Sequence, residues 1–194
     1  MTRQDQLNGR VVKHLEEIAE QRESFDRVSS RLTKQGYIAA WDHSGTHEQI
    51  DLKGSIERAY EQMVNDLQGM LELVELEAHA LGLVPDPRLA IDGGPASRQQ
   101  WWSAASSFGW DVAKADQSLS PGRWRRFAFY GYIDHDLATV LLSLTSARDR
   151  FQHRYARRAS SYGSEAWGTM DLLRARLEEV VAAILAFRDA CLTT

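Results

Sequence analysis

The residues best suited to chemistry stand together in one octapeptide, RDRFQHRY, at positions 148–155. Histidine has an unperturbed pKa of about 6.5, so His153 can take or give a proton near neutral pH. The guanidinium of Arg148 is permanently charged and presents paired donors, which suits it to stabilising negative charge on a phosphate. Asp149 stands four residues before His153, and on a helix it could bind the imidazole and select its tautomer. The pattern is therefore typical of proton transfer at a phosphate group.

This octapeptide resembles the signature of the HEPN superfamily, a group of helical-bundle proteins that includes many ribonucleases. The signature is Arg, then four to six residues, then His; Asn, Asp or His often follows the Arg directly. In toxin-type members a Tyr follows the His after one residue. Arg148, Asp149, His153 and Tyr155 match those four positions, with Asp149 where Asn is more frequent. The resemblance covers the helical region from about residue 121 onward.

The resemblance implies a metal-independent endoribonuclease that needs no cofactor. It also implies that the protein acts as a toxin or in phage defence. Arg148 and His153 are then the catalytic pair, Asp149 orients the imidazole, and Tyr155 orients a phosphate or a base. The family usually forms its active cleft across two subunits, so a homodimer is implied. RNA is the implied substrate, and a toxin would have an antitoxin or regulatory protein as its partner.

An alternative is that the same residues form an ordinary ladder of ion pairs on a solvated helix face. Pairs at i,i+4, such as Asp149 with His153, contribute only a few tenths of a kcal/mol and no catalysis. Residues five apart on a helix lie about 140° apart around its axis. Arg148 and His153 therefore converge only where the helix ends or distorts, or where a second subunit contributes. On this alternative the chain is a non-catalytic helical module that binds RNA or a protein.

A second alternative is a metal-dependent enzyme, because helical bundles build metal sites from inward-facing Glu and His. The candidate ligands are His43, His47 and Asp51, the pair Glu75 and His79, and the run Asp134, His135 and Asp136. The Glu-x-x-His spacing of di-iron bundles is absent, because Leu76 stands three residues before His79. Each group also fits a surface pair or an ordinary helix charge, so we predict no metal site.

Charge is distributed unevenly along the chain. The 23 basic and 27 acidic residues give a net charge of −4, which argues against a protein that coats nucleic acid through bulk charge. Residues 121–160 nevertheless contain eight arginines and three aspartates. Such a segment either contacts a polyanion or pairs with acidic neighbours. The candidate RNA-binding residues are Arg150, Arg154, Arg157 and Arg158.

Aromatic residues are concentrated in the same half of the chain. Thirteen of the eighteen lie between Trp101 and Trp167. Around Trp124 they alternate with arginines in the run RWRRFAFYGY, at positions 123–132. This pattern favours a core with a dimer interface, or a surface on which single-stranded bases stack.

Hydrophobic periodicity predicts an all-α helical bundle. Five helical segments are predicted. Two long ones come first, through Leu7–Leu32 and from the Thr46/Gln49 capping box to about Gly82, and a short aromatic one follows through Ser97–Trp110. A fourth runs from Ser120 to about Ser160 with a bend near Gly131, and the last runs through Leu173–Phe187. No strand-like alternation competes with these patterns. We predict a single domain over residues 1–194, because two helices alone cannot enclose a core.

Composition excludes several classes of protein. A chain of 194 residues with 43% hydrophobic and 26% charged residues is ordinary for a globular domain. The longest apolar run, 180–187, is far shorter than the roughly 20 residues that span a bilayer. The polar start lacks a signal-peptide pattern, so a cytoplasmic location without membrane contact is expected. The single cysteine, Cys191, is expected to pack in the core.

Overall fold

The computed structural model describes residues 2–34, 46–91, 95–110, 112, 122–145 and 163–193. The helices of these ranges are α1 (Arg3–Lys34), α2 (His47–Ala80), α3 (Arg88–Ile91), α4 (Pro95–Ser107), α5 (Arg123–Phe129), α6 (helical over 135–145) and α7 (Gly163–Leu192). The described ranges contain no strand, which confirms the all-α prediction. Within them, no helix combines the length and apolarity that crossing a bilayer requires.

The chain divides into two compact units. The first unit comprises Met1–Val11, Gln68–Thr139 and Val180–Thr194. In it, α1 begins beside the end of α2, where Arg3 Nε lies 2.8 Å from Glu77 Oε2. Its core is aromatic, with Trp101, Phe127 and Phe187 all at most 2% exposed.

The second unit comprises Val12–Leu67 and Val140–Glu179. Here α1 runs antiparallel to α2, because a hydrogen bond joins His14 to Asp66 and an ion pair joins Arg31 to Glu48. Helix α7 also runs antiparallel to α1, since Arg22 pairs with Glu178 and Asp26 with Arg174. Among the described residues, the apolar core of this unit is aliphatic apart from Phe25 and Tyr60. Its buried members include Phe25, Leu32, Ile56, Tyr60, Met63, Leu67, Leu141, Leu144, Leu173 and Leu177.

The ends of α2 follow the local sequence signals. The Thr46 amide donates to Gln49 Oε1 (2.8 Å), and the Gln49 amide donates to Thr46 Oγ1 (3.3 Å). This reciprocal pair is the predicted capping box. At the other end, the Leu83 amide bonds the Ala78 carbonyl and the Gly82 amide bonds the His79 carbonyl. Gly82 has φ +73°, so this is a Schellman motif that needs a residue tolerating left-handed backbone.

The region after residue 121 differs from the single bent helix that periodicity predicts. Helix α5 ends at Phe129, Gly131 has φ +85°, and α6 starts at 135. The side chain of Asp134 accepts a hydrogen bond from the Leu137 amide at 2.6 Å, so it caps α6 as a new helix. A positive φ cannot continue a right-handed helix, and the bend is therefore a break. Gly122, rather than Ser120, flanks the start of α5, and α4 starts at Pro95, before Ser97.

Candidate functional site

The predicted catalytic and RNA-binding residues lie outside the described residues, within positions 146–162. They are Arg148, Asp149, Arg150, His153, Arg154, Tyr155, Arg157 and Arg158. The described part of α6 stops shortly before them, at residue 145. There the buried Tyr60 of α2 donates a hydrogen bond to the Leu144 carbonyl at 2.7 Å. This bond fixes the chain to α2 four residues before Arg148, and the roles of the octapeptide stay predictions.

A cluster of buried polar side chains lies in the first unit, between α2 and α5. Arg126 binds Glu75 with both ends of its guanidinium: Nε lies 2.6 Å from Oε1 and Nη2 lies 2.7 Å from Oε2. Both side chains are 1% exposed. The hydroxyl of Tyr130, one turn after Arg126, donates to Glu75 Oε1, the oxygen that also accepts from Arg126 Nε. We name these three residues, Glu75, Arg126 and Tyr130, the buried triad.

The electrostatics of the buried triad keep the Arg126 guanidinium charged and the Tyr130 phenol protonated. Burial by itself lowers the pKa of Arg126, but the hydrogen bonds and charge of Glu75 outweigh it and raise that pKa. Burial, reinforced by the negative charge of Glu75, raises the pKa of Tyr130. The phenol therefore remains a donor to the carboxylate. Because each member already binds another and the Glu75–Arg126 pair is 1% exposed, the buried triad holds α2 to α5 and the ion pair offers no open position for a substrate.

No sequence pattern predicts the buried triad. From the sequence, Glu75 and His79 fit a metal pair or a surface pair, and the arginines near 123–126 fit polyanion contacts or paired charges. One local signal indicates that Glu75 is buried. It directly follows Val74 and lies four residues after Leu71 on the apolar stripe of α2. Its partner stands 51 residues away, and no local pattern connects the two.

The neighbouring pair on the same two helices is more exposed. Arg123 Nη2 lies 2.7 Å from Glu72 Oε2, with side-chain exposures of 24% and 45%. Arg123 and Arg126 thus both pair with carboxylates of α2. For this part of the arginine-rich segment, pairing with acidic neighbours is the observed outcome.

His79, one turn after Glu75, belongs to the loop that leaves α2. Its Nδ1 donates to the Val84 carbonyl at 3.2 Å, since a carbonyl can only accept. Its Nε2 lies 3.7 Å from Asp86, which Arg88 also binds. The hydrogen bonds from Arg88, with the charge of His79, hold the pKa of Asp86 below its usual range. These contacts explain His79 as the residue that secures the loop.

The remaining candidate metal ligands are dispersed. His43 lies outside the described residues, and His47 and Asp51 are exposed near the start of α2. Asp134 caps α6, where His135 and Asp136 are exposed. The part of the chain that the structure describes contains no group of three or more side chains placed to hold a metal ion.

Most described aromatics of the first unit belong to its core. Trp101, Trp102, Trp124 and Phe127 are at most 3% exposed. Phe129 meets both Trp101 and Trp102 edge to face, with ring centroids 6.3 and 5.2 Å apart. The core interpretation of the aromatic run therefore holds for these side chains, which cannot stack bases.

The Cys191 thiol is buried at 2% exposure, as expected for a packing residue. Burial, with the nearby charge of Glu77, raises its pKa to about 11. We expect the folded protein to react with a disulfide reagent at about pH 8 at least roughly 100-fold more slowly than the urea-unfolded chain, because few thiolates form. Stopped-flow absorbance with both states measures this ratio. Equal rates would show that the thiol is accessible and ionised in the folded state.

Comparison with known proteins finds no match: no protein-family model, no curated protein and no solved structure corresponds to this chain.

Proposed function

We propose that this protein is a metal-independent endoribonuclease of the HEPN type, with Arg148 and His153 as its catalytic pair. The observation that carries the proposal is the octapeptide at 148–155, in which Arg148, Asp149, His153 and Tyr155 match four positions of the signature. The all-α fold supports it. So does the place of the octapeptide in the sequence, after the described part of α6 (135–145) and before α7, since the resemblance implies a motif late on the helix that precedes the last one.

The chemistry follows from the residue types. RNA carries its own nucleophile, the 2′-hydroxyl, so cleavage requires a proton to leave that oxygen and another to reach the departing 5′-oxygen. His153 transfers a proton in one of these two steps. Arg148 stabilises the negative charge that accumulates on the nonbridging oxygens as the 2′-oxygen attacks phosphorus. Asp149 orients the imidazole, Tyr155 orients a phosphate or a base, and Arg150, Arg154, Arg157 and Arg158 bind the RNA backbone.

The biological setting belongs to the same proposal. The protein acts in the cytoplasm as a homodimer whose two octapeptides form one cleft. Its role is that of a toxin or a phage-defence effector, with an antitoxin or regulatory protein as its partner. These statements rest on the resemblance alone and depend on the nuclease activity.

The test compares the wild type with His153→Ala and Arg148→Ala on total RNA in the presence of EDTA. Circular dichroism and light scattering first confirm that the three proteins are equally helical and equally oligomeric. We expect the wild type to cleave and both variants to lose cleavage. Intact RNA with the wild type, or equal cleavage by the variants, would refute the proposed activity.

The second candidate is a non-catalytic helical module that binds RNA or a protein. The observation that favours it is the state of the described ionisable groups. The buried triad, the Arg123–Glu72 pair and the His79–Asp86 contacts all serve to hold helices and loops together. RNA binding without cleavage in the same assay would support this module.

A further inference from the structure

Three carboxylates are buried among the described residues. Glu75 belongs to the buried triad, and Asp66 accepts hydrogen bonds from His14 and Gln62, each at 2.9 Å. The third is Glu57 of α2, which is 1% exposed. A buried carboxylate persists only where cations or hydrogen-bond donors compensate its charge. The surroundings of Glu57 must therefore supply such groups.

Glu57 shares one face of α2 with three other functional positions. Lys53 and Tyr60 stand four residues before it and three residues after it, which places all three on one stripe. Glu75 stands 18 residues after Glu57 (75 − 57 = 18), or five turns of about 3.6 residues, so the two carboxylates leave the helix in the same direction. On this face Glu75 binds a buried arginine, Arg126, that a neighbouring helix supplies.

The end of the described part of α6 is fixed to this same face. Tyr60 donates its hydroxyl to the Leu144 carbonyl at 2.7 Å, and the second unit, which contains Glu57, also contains Val140–Glu179. Arg148 lies outside the described residues, but four residues of chain keep it within about 14 Å of Leu144. Glu57 and Tyr60 are separated by only about 4.5 Å along the axis of α2. The guanidinium of residue 148 is therefore within reach of Glu57.

A carboxylate on this face can bind more than one donor group. It presents about four lone-pair sites, and Glu75 uses three of them, two for Arg126 and one for Tyr130. Lys53, one turn before Glu57 and 2% exposed, brings one cation to the same stripe. A guanidinium suits the remaining sites best, because its planar fork forms two parallel hydrogen bonds with a carboxylate. The first arginine after the described part of α6 is at position 148.

We propose that Glu57 is a positioning residue of the nuclease, whose buried carboxylate binds one edge of the Arg148 guanidinium and leaves the other edge for the phosphate. The proposal rests on the proposed function for the role of Arg148. A guanidinium held in this way needs no reordering when charge develops on the nonbridging oxygens. Glu57 itself, at 1% exposure, does not contact RNA.

The first test is a double-mutant cycle on stability, which needs no nuclease activity. Urea unfolding is followed by circular dichroism for the wild type, Glu57→Gln, Arg148→Ala and the double variant. We expect Glu57→Gln to lower the unfolding midpoint less than half as much in the Arg148→Ala background, because the partner is already absent there. Glu75→Gln is the matched control: its partner is Arg126, so it should lower the midpoint equally in both backgrounds. If Glu57→Gln does not fold, Glu57→Asp, which keeps the charge and withdraws the carboxylate by one methylene, replaces it.

The second test measures single-turnover cleavage of a short labelled RNA with EDTA present. We expect Glu57→Gln to lower the maximal rate by about 10- to 100-fold, because a misplacement of about 1 Å can cost that much. The RNA concentration that gives half the maximal rate should stay within about twofold, since the interaction is not with the RNA. In the Arg148→Ala background, Glu57→Gln should have little further effect on the rate.

Additive midpoint losses for Glu57→Gln and Arg148→Ala would overturn the pair. So would coupling of Glu57→Gln to Lys53→Met in place of Arg148→Ala, because Glu57 would then serve only its neighbour on α2. Wild-type cleavage that Glu57→Gln leaves at full rate would remove the positioning role and leave the nuclease activity. Coupled midpoint losses in a protein that does not cleave RNA would support the pair and remove the nuclease activity.

Discussion

Replacement of Arg126 by methionine is expected to lower the free energy of unfolding by about 3–5 kcal/mol. The variant leaves the Glu75 carboxylate buried at 1% exposure with only the Tyr130 hydroxyl as its partner in the buried triad. An uncompensated buried charge is far more costly than the net contribution of the intact pair. Urea unfolding followed by circular dichroism at neutral pH gives the difference.

The matched control is Arg123→Met, on the same helix. Arg123 also pairs with a carboxylate of α2, but that pair is partly exposed and water can solvate Glu72 after the change. We expect a loss of at most about 1 kcal/mol. Equal losses for the two methionine variants would contradict the view that burial gives the Arg126 pair its importance.

A combined variant keeps this prediction testable if Arg126→Met does not fold. Replacing the whole buried triad, with Glu75→Leu, Arg126→Met and Tyr130→Phe, removes the buried ion pair together with the phenol hydroxyl that binds it. Substituting apolar residues for an entire buried ion pair is often neutral or stabilising. We therefore expect the triple variant to fold and to be more stable than Arg126→Met. A triple variant less stable than Arg126→Met would show that the ion pair itself supplies the stability.

For the proposed nuclease, His153→Ala should reduce the single-turnover rate of RNA cleavage by about 10²–10⁴-fold, the usual contribution of a general acid or base. Arg148→Ala should reduce it by about 10²–10³-fold, because a donor to the developing charge is removed. The two residues act in one step, so the double variant should lose less than the product of the single effects. Enzyme in excess over a short labelled RNA, with EDTA present, isolates this step.

His135→Ala is the control for this experiment. His135 is an exposed histidine near the start of α6 and lies outside the octapeptide. The variant should cleave at the wild-type rate. A loss as large as that of His153→Ala would show that the assay reports general damage or contaminating nuclease rather than the chemistry of the octapeptide.

The amino-acid sequence by itself determined α1, α2 and the ends of α2, whereas the break between α5 and α6 was not predicted. The apolar stripe of α1 and the Thr46–Gln49 capping box are confirmed, because periodicity and capping depend on residues at most a few positions apart. The end of α2 near Gly82 follows for the same reason. The octapeptide at 148–155 is equally local, and the proposed nuclease activity rests on its resemblance to the HEPN signature rather than on any spatial arrangement.

Tertiary structure alone decided what the charged and aromatic residues of the first unit do. Arg126 belongs to the run at 123–132, whose sequence is equally compatible with an RNA-binding surface and with the border of the core. It is buried because Glu75, distant in the chain, lies within reach on α2. Phe108 and Trp124 are similar residues in sequence, yet one is open to solvent and the other is enclosed. Burial and pairing depend on which helices pack together, and a single sequence carries no direct record of those contacts.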